Sequence, residues 1–237
     1  MRLYHFTSQK FGLLAIKDRR LKIARVNELN DPFEFLGWNL QDPETRAKMR
    51  QWKADRNAEL GILCFSRKWS NPLLWGHYAD KHRGMAIGFD VPDNDLYSPV
   101  KYRRTRLPTP VSRELVGAEV DGLLLTKFSA WRYESEYRCF CRLGESIQEN
   151  GLYFEPFSPT LKLAEVIVGD QSTITRAELA DALGKQNSNV TVFKARPAFG
   201  TFSVVKTGTP PFGDEEAAID DHAPRHHPGK PRKPALR

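Results

Sequence analysis

Residues 130–140 of this chain read AWRYESEYRCF, and their alternation indicates a β-strand. Successive side chains of a strand point to opposite faces, so the stretch divides into a charged set and a largely aromatic set. The charged set is Arg132, Glu134, Glu136 and Arg138, and the other set is Trp131, Tyr133, Ser135, Tyr137 and Cys139. Two glutamates flanked by arginines indicate either a solvated sheet edge or a functional site.

The composition around this stretch is that of a folded, basic protein. The chain has 237 residues, is 40% hydrophobic and carries a formal net charge of +7. A positive balance favours anionic partners such as nucleic acid, nucleotides or phosphates. The odd number of cysteines argues against a disulfide framework, and Cys139 and Cys141 share one strand face, which favours a core position over a redox role.

Nothing in the sequence indicates a membrane segment. No apolar run approaches the roughly 18 residues of a transmembrane helix, and the first residues, MRLYHFTSQKFG, lack the apolar region of a signal peptide. We therefore expect a cytoplasmic protein with no membrane partner. Residues 207–237 are rich in proline and charge and nearly free of aliphatic side chains, which predicts a disordered tail after a folded domain at 1–206.

The folded part predicts an α+β domain with helices early and strands throughout. Strands are expected at 2–6, 21–24, 62–66, 85–91, 97–103, 151–157 and 163–169, with two more after residue 189. Ser70 or Asn71 as the cap and Pro72 as the first residue predict a helix that runs to Gly84, and TITRAELADALGK predicts another. In NDPFEF, Asp31 suits an N-cap and Glu34 the third helical position, which predicts a capping box rather than a site.

The common catalytic motifs are absent from the sequence. There is no P-loop, no GxGxxG after a strand, no HExxH and no GxSxG. His77 and His82 lie five residues apart on a predicted helix, so they point ~140° away from each other and do not form a helical pair of metal ligands. No metal site is predicted. What remains is a set of separated polar residues, each with an ordinary structural explanation: His5, Ser66, Tyr78, Glu134 and Glu136.

The order of the motifs resembles a bacterial family known as a domain of unknown function. The resemblance covers residues 1–206 and rests on YHF, NDPFE, CFS, LLWGHYA-x-x-H-x-G and W-x-YE-x-E-x-R. The same order is similar, more distantly, to the ADP-ribosyltransferase superfamily. There a first strand carries His or Arg, a second block carries an aromatic or Ser residue, and a later strand carries a catalytic Glu, often as Glu-x-Glu.

The superfamily resemblance implies a single α+β domain with a split antiparallel β-sheet core and flanking helices. It implies NAD as the substrate, Glu136 as the catalytic carboxylate, Glu134 as the group that positions or deprotonates the acceptor, and His5 as a ribose ligand. The other residues implied to bind NAD are Tyr4, Phe6, Thr7, Ser66, Tyr78, Arg132 and Arg138. Phe6 departs from the superfamily pattern, in which many members place a glycine so that the backbone meets the nicotinamide amide.

Several functions remain open on the sequence. The resemblance implies transfer of ADP-ribose to a nucleic acid or a protein, or hydrolysis of NAD, in a toxin or phage-defence effector that an antitoxin could restrain. A basic domain could instead bind nucleic acid without chemistry. A third hypothesis is a metal-dependent nuclease that uses Asp31, Glu34, Glu134 and Glu136, against which the capping role of Asp31 and Glu34 weighs.

Overall fold

The computed structural model describes residues 1–108 and 118–208. Most of the predicted tail, residues 209–237, lies outside the described residues. Within the described part, Thr207 still belongs to the domain, since its N–H donates to the carbonyl of Lys194 at 2.9 Å.

Strands make up most of the ordered structure. Residues rich in β-branched and aromatic side chains form them, as expected for pleated surfaces that are half or fully buried. They are β1 Arg2–Thr7, β2 Arg20–Arg25, β3 Leu60–Ser66, β4 Met85–Asp90, β5 Ser98–Pro99, β6 Lys101–Arg103, β7 Thr126–Phe128, β8 Glu136–Arg142, β9 Ile147–Glu149, β10 Leu152–Pro156, β11 Lys162–Val168, β12 Thr191–Pro197 and β13 Val204–Lys206.

Five α-helices flank the strands in the described ranges. They are α1 Gln9–Asp18, α2 Pro43–Glu59, α3 Pro72–Tyr78, α4 Ala118–Leu124 and α5 Arg176–Leu183. Several begin at side-chain caps, which satisfy backbone N–H groups that a helix leaves free at its start. Asp42 caps α2 and Asn71 caps α3, each followed by a proline, and Thr175 forms a capping box with Glu178 at α5.

The strands form one large, mostly antiparallel sheet, and the protein is a mixed α/β domain. The sheet order is β13-β12-β11-β4-β1-β3-β2-β10-β9, with β8 and β5 branching from β3. Within it β11 and β12 run parallel, and β6 and β7 form a separate parallel pair. The prediction of a single domain that mixes helices with an antiparallel sheet is therefore confirmed at this level.

The edge of β3 that faces away from β8 is shared by two strands. In the described residues β1 meets β3 at a single pair, Tyr4 with Ser66, while β2 pairs with β3 at the other end, through Ile62 and Gly61. Between these points the middle of β3, residues 63–65, has no strand on that side. We call this opening the sheet gap.

Helices cover both faces of the sheet, and the side chains buried between the helices and the sheet form the hydrophobic core. On one face Ile16 of α1 and Leu179 of α5 are buried with Leu3 and Ile87. On the opposite face Trp75 of α3 is buried with Ala86 and Phe193. Within the described ranges no helix is both long and apolar enough to cross a membrane.

Two predicted helical features are wrong. The NDPFEF segment forms a turn in place of a capped helix: the Asp31 carboxylate accepts the N–H of Phe33 at 2.9 Å, but Glu34 turns into the interior. The helix that starts at Pro72 ends at Tyr78 rather than near Gly84, because residues 80–82 adopt positive φ angles. His82 therefore lies outside the helix on which it was predicted.

Candidate active site

A cavity of about 290 Å³ occupies the sheet gap. Strand β1 lines it on one side, β2 on the other, and the open edge of β3 forms its floor. The remaining wall comes from the segment 28–34, helix α3, Lys127 of β7 and residues 134–136. The lining side chains include His5, Ser66, Tyr78, Glu134 and Glu136, which come from three regions of the sequence: the first strand, residues 66–78 and residues 134–136. These five are the polar residues that the sequence analysis singled out, and the fold places all of them at one cavity.

The ring of His5 is held in a single protonation state beside the sheet gap. Its Nδ1 lies 3.1 Å from the carbonyl oxygen of Cys64, on the stretch of β3 that lacks a strand partner. A carbonyl can only accept, so Nδ1 carries the hydrogen and Nε2 of the neutral ring is left as an acceptor. Burial lowers the pKa of His5 below its usual value, which keeps the ring neutral near pH 7.

Glu134 does not lie on a strand, so the prediction of a continuous strand from residue 130 is wrong. Residues Ser129–Glu134 form a 3₁₀ turn, which ends at Ser135 in the left-handed conformation with φ of 45°, and β8 begins only at Glu136. The Ser66 hydroxyl donates to the carbonyl oxygen of Glu134 at 2.5 Å. Ser66 therefore holds the turn at the end of β3 rather than facing the cavity with a free hydroxyl.

The charged set of residues 130–140 is mostly buried rather than solvated. Lys127 Nζ donates to Glu134 at 2.6 Å and to Glu136 at 3.0 Å. Arg138 Nε donates to Glu136 at 2.7 Å, and a terminal nitrogen of Arg138 donates to both oxygens of Glu34 at 2.9 and 2.8 Å. Three carboxylates face two cations, so one negative charge is in excess when all five groups are ionised. We call these five side chains the charge network.

The two glutamates of the charge network differ in acidity. Burial raises the pKa of Glu134 above its usual value, although Lys127 and the Tyr78 hydroxyl act in the other direction. Burial also disfavours ionised Glu136, but the Arg138 guanidinium and the Lys127 ammonium outweigh it and lower its pKa to about 2. Neighbouring carboxyl groups whose pKa values are pushed apart suit separate acid–base and electrostatic roles.

Tyr78 connects helix α3 to the charge network. Its hydroxyl donates to Glu134 at 2.5 Å and accepts from the Asn30 side-chain amide at 3.0 Å. Burial, together with the nearby Glu134, raises the pKa of Tyr78, so the phenol stays protonated. The cap residue Asn71 fixes the start of the same helix and also donates to the carbonyl of Tyr133 at 3.1 Å.

The remaining predicted ligands are distributed around the cavity or away from it. Tyr4 and Phe6 line it, but strand alternation points their side chains away from the face of His5, and Phe6 packs on Trp75 with ring centroids 5.4 Å apart. Thr7 is not among the lining residues.

The two arginines occupy contrasting environments. Arg132 is exposed and lies over the ring of Tyr102 at 5.7 Å. Arg138 is fully buried behind the cavity, within the charge network. Neither side chain lines the cavity, and Arg138 instead contacts Glu136, whose pKa it lowers.

The charge network does not resemble a metal site. Among residues 1–108 and 118–208, no group of three or more His, Cys, Asp or Glu side chains is arranged to hold a metal ion. Glu34, Glu134 and Glu136 instead share Lys127, which lies within 3.2 Å of each.

Lys127 and the inward position of Glu34 were missed by sequence reasoning. The signal for Lys127 was a single cation in the otherwise apolar run LLLTKF, since a lysine in such a run is buried only when it is paired. Glu34 offered no such signal, because the turn that redirects it depends on Phe35, whose φ is 58°.

Comparison of the chain with models of protein families, with curated proteins and with solved structures finds no match.

Proposed function

We propose that this protein is an ADP-ribosyltransferase-like enzyme, as the motif resemblance implies, which cleaves the nicotinamide–ribose bond of NAD and transfers ADP-ribose to a macromolecule. One observation carries the proposal. His5, Tyr78 and the pair Glu134 and Glu136, from three separate segments, line a single cavity at a gap in an antiparallel sheet.

The reaction needs a negative charge beside a developing positive one. When the C–N bond between nicotinamide and ribose breaks, nicotinamide leaves with the electron pair, and the ribose carbon becomes oxocarbenium-like. A fixed carboxylate stabilises such a charge, as in glycoside hydrolysis. Glu136 is suited to this role because Arg138 and Lys127 lower its pKa and hold it in place.

Glu134 is suited to accept the proton of the attacking group. The acceptor forms a bond to the ribose carbon and loses its proton, which a carboxylate with a raised pKa binds more readily than an ordinary one. The acceptor nitrogen of neutral His5 can receive a hydrogen bond from a ribose hydroxyl. The cavity is near the small end of ligand pockets, ~300–1,000 Å³, so it suits the nicotinamide–ribose end rather than the whole dinucleotide.

The first test measures nicotinamide release from NAD by liquid chromatography, together with label transfer from NAD to nucleic acid and lysate proteins. We expect Glu136→Gln to lower the rate by about 100-fold or more, as when a group that stabilises a transition-state charge is removed. Glu149→Gln is the control, because Glu149 is also ion-paired, with Arg20 at 2.6 Å, but does not line the cavity.

Glu136 also holds two buried cations, so Glu134→Gln is made alongside it. That variant leaves the Glu136–Arg138 pair intact and should impair label transfer more than nicotinamide release, since water can still attack. Absence of nicotinamide release by the wild type, or equal rates for wild type and Glu136→Gln, would rule the proposal out.

A further inference from the structure

A second cavity, of about 240 Å³, lies on the other side of the charge network. Glu34 and Lys127 line both cavities and form the wall between them. Strands β6 and β7 and the turn after Asp31 supply the remaining lining. We call it the arginine cavity, after Arg103, Arg104 and Arg106.

Within residues 1–108 and 118–208, the three arginines of this cavity have no carboxylate as a partner, although Arg106 donates to the carbonyl oxygens of Leu36 and Trp38. Two acidic side chains also line the cavity, but both are occupied: Asp31 accepts the Phe33 N–H, and Glu34 is held by Arg138 and Lys127. The open part of the arginine cavity is therefore positive and complementary to phosphate, which arginine can bind through two parallel hydrogen bonds.

Two exposed aromatic rings border the same cavity. Phe33 is 59% exposed and Phe128 is 52% exposed, although large apolar side chains are usually buried. Arg106 lies over the Phe33 ring at 5.6 Å, and Arg103 is the partner of Phe128 across the β6–β7 pair. Exposed rings beside arginines are the elements with which proteins bind single-stranded nucleic acid, since unpaired bases stack on the rings while cations contact the phosphates.

We propose that the arginine cavity binds single-stranded nucleic acid and presents it as the acceptor of ADP-ribose; the acceptor role rests on the proposed function. The unpaired base stacks on Phe128 or Phe33, and Arg103 and Arg104 contact the flanking phosphates. A duplex cannot use the rings, because its bases are already stacked on each other. An acidic peptide would use the arginines but not the rings.

The test measures binding without NAD, so that it does not depend on catalysis. Fluorescein-labelled 12-nucleotide single-stranded RNA and DNA are titrated with the full chain, with a duplex and a polyglutamate peptide as competitors. We expect Arg103→Ala/Arg104→Ala to weaken binding at least tenfold and to reduce the slope of log Kd against log salt by about 0.7 for each phosphate that the variant no longer neutralises. We expect Phe128→Ala to weaken binding by about 5- to 100-fold, as for loss of one stacked base.

The control variant Lys48→Ala/Arg142→Ala removes the same charge from exposed positions outside the arginine cavity. It should bind as the wild type does. Equal affinity of the wild type and the Arg103/Arg104 variant, equal competition by duplex or polyglutamate, or no effect of Phe128→Ala would overturn the site.

The acceptor role is tested separately by adding labelled NAD to the same oligonucleotides. Nicotinamide release with no label on the oligonucleotide would overturn the acceptor role while leaving NAD cleavage in place. Oligonucleotide binding without nicotinamide release would overturn the proposed enzyme, and with it the acceptor role, but not the binding site.

Discussion

At the scale of single residues, the candidate site depends on where two carboxyl groups find cations. Glu136 contacts both Arg138 and Lys127, whereas Glu134 contacts Lys127 and the neutral hydroxyl of Tyr78. Each group is buried, and burial alone would raise both pKa values. The second cation, Arg138, makes the two pKa values differ: it keeps Glu136 ionised, whereas Glu134, which has one cation as a partner, binds a proton more readily.

Tyr78→Phe should shift the pH dependence of the proposed transfer. The hydrogen bond from Tyr78 acts to lower the pKa of Glu134, so its loss raises that pKa further. A base must be ionised to act, and the acid limb of the pH–rate profile should therefore move to higher pH.

The matched control for this shift is Tyr133→Phe. The Tyr133 hydroxyl lies near the same helix but bonds to His77 at 2.9 Å rather than to Glu134. Its profile should match the wild type. An acid limb of Tyr78→Phe that stays in place, or moves to lower pH, would contradict the role given to this hydroxyl.

At the scale of elements, a short turn and a short helix position the charge network. The 3₁₀ turn that carries Glu134 is held by Ser66 of β3, and α3 carries Tyr78. The alternation of residue types predicted a strand through Glu134. Such alternation is compatible with a strand, but it does not require the backbone to be extended. Ser135, in the left-handed conformation, separates turn from strand and leaves both glutamates directed at Lys127.

Loss of the α3 cap should affect activity beyond its effect on stability. Asn71→Ala removes the cap of α3, and Thr175→Ala removes the cap of α5, which lies away from the cavity. Each should lower the free energy of unfolding by about 1 kcal/mol in urea titrations. Only Asn71→Ala should also lower kcat/KM for NAD, because α3 carries Tyr78. Equal kcat/KM losses in the two variants would show that α3 has no positioning role.

At the scale of the whole molecule, the charge network joins distant parts of the chain. Glu34 comes from the turn before α2, Lys127 from β7 and Arg138 from the middle of β8. Removing one partner from a buried network leaves a charge uncompensated, which destabilises a fold more than loss of a surface pair. The same contacts that form the wall of the cavity therefore also stabilise the domain.

Glu136 should make the domain sensitive to acid. Its pKa falls from 4.5 in the unfolded chain to about 2 in the fold. A lowered pKa gives stability that is present above pH ~4.5 and is lost as the pH falls toward 2, amounting to about 3 kcal/mol. Urea unfolding followed by circular dichroism should show Glu136→Gln less stable than the wild type at pH 6, with the difference shrinking toward pH 2. A difference that is constant with pH would contradict the lowered pKa.

The sequence alone predicted many of the strands and helices, namely those with a clear apolar periodicity or a capping residue. Local alternation and cap chemistry predict the strands β1, β3, β4 and β11 and the start of α3 at Pro72, while the structure decides that Asn71 rather than Ser70 is the cap. Helix α2 was not predicted: of its 17 residues only Met49 is a buried hydrophobic, so its apolar periodicity is weak. Strand alternation and helix caps depend on residues that are close together in the sequence, so the sequence alone is sufficient to predict them.

The sequence by itself also determined which residue types were available for chemistry: His5, Ser66, Tyr78 and the two glutamates of residues 130–140. Only the tertiary structure decided their environment. It opened the sheet gap and buried Glu134, Glu136 and Arg138, whose stretch could have been a solvated edge or a site. It also turned Glu34 inward and brought Lys127 between three carboxylates. The physical reason is that burial and ion pairing depend on segments up to about one hundred residues apart, such as Glu34 and Arg138, and a local pattern carries no information about which of them will meet.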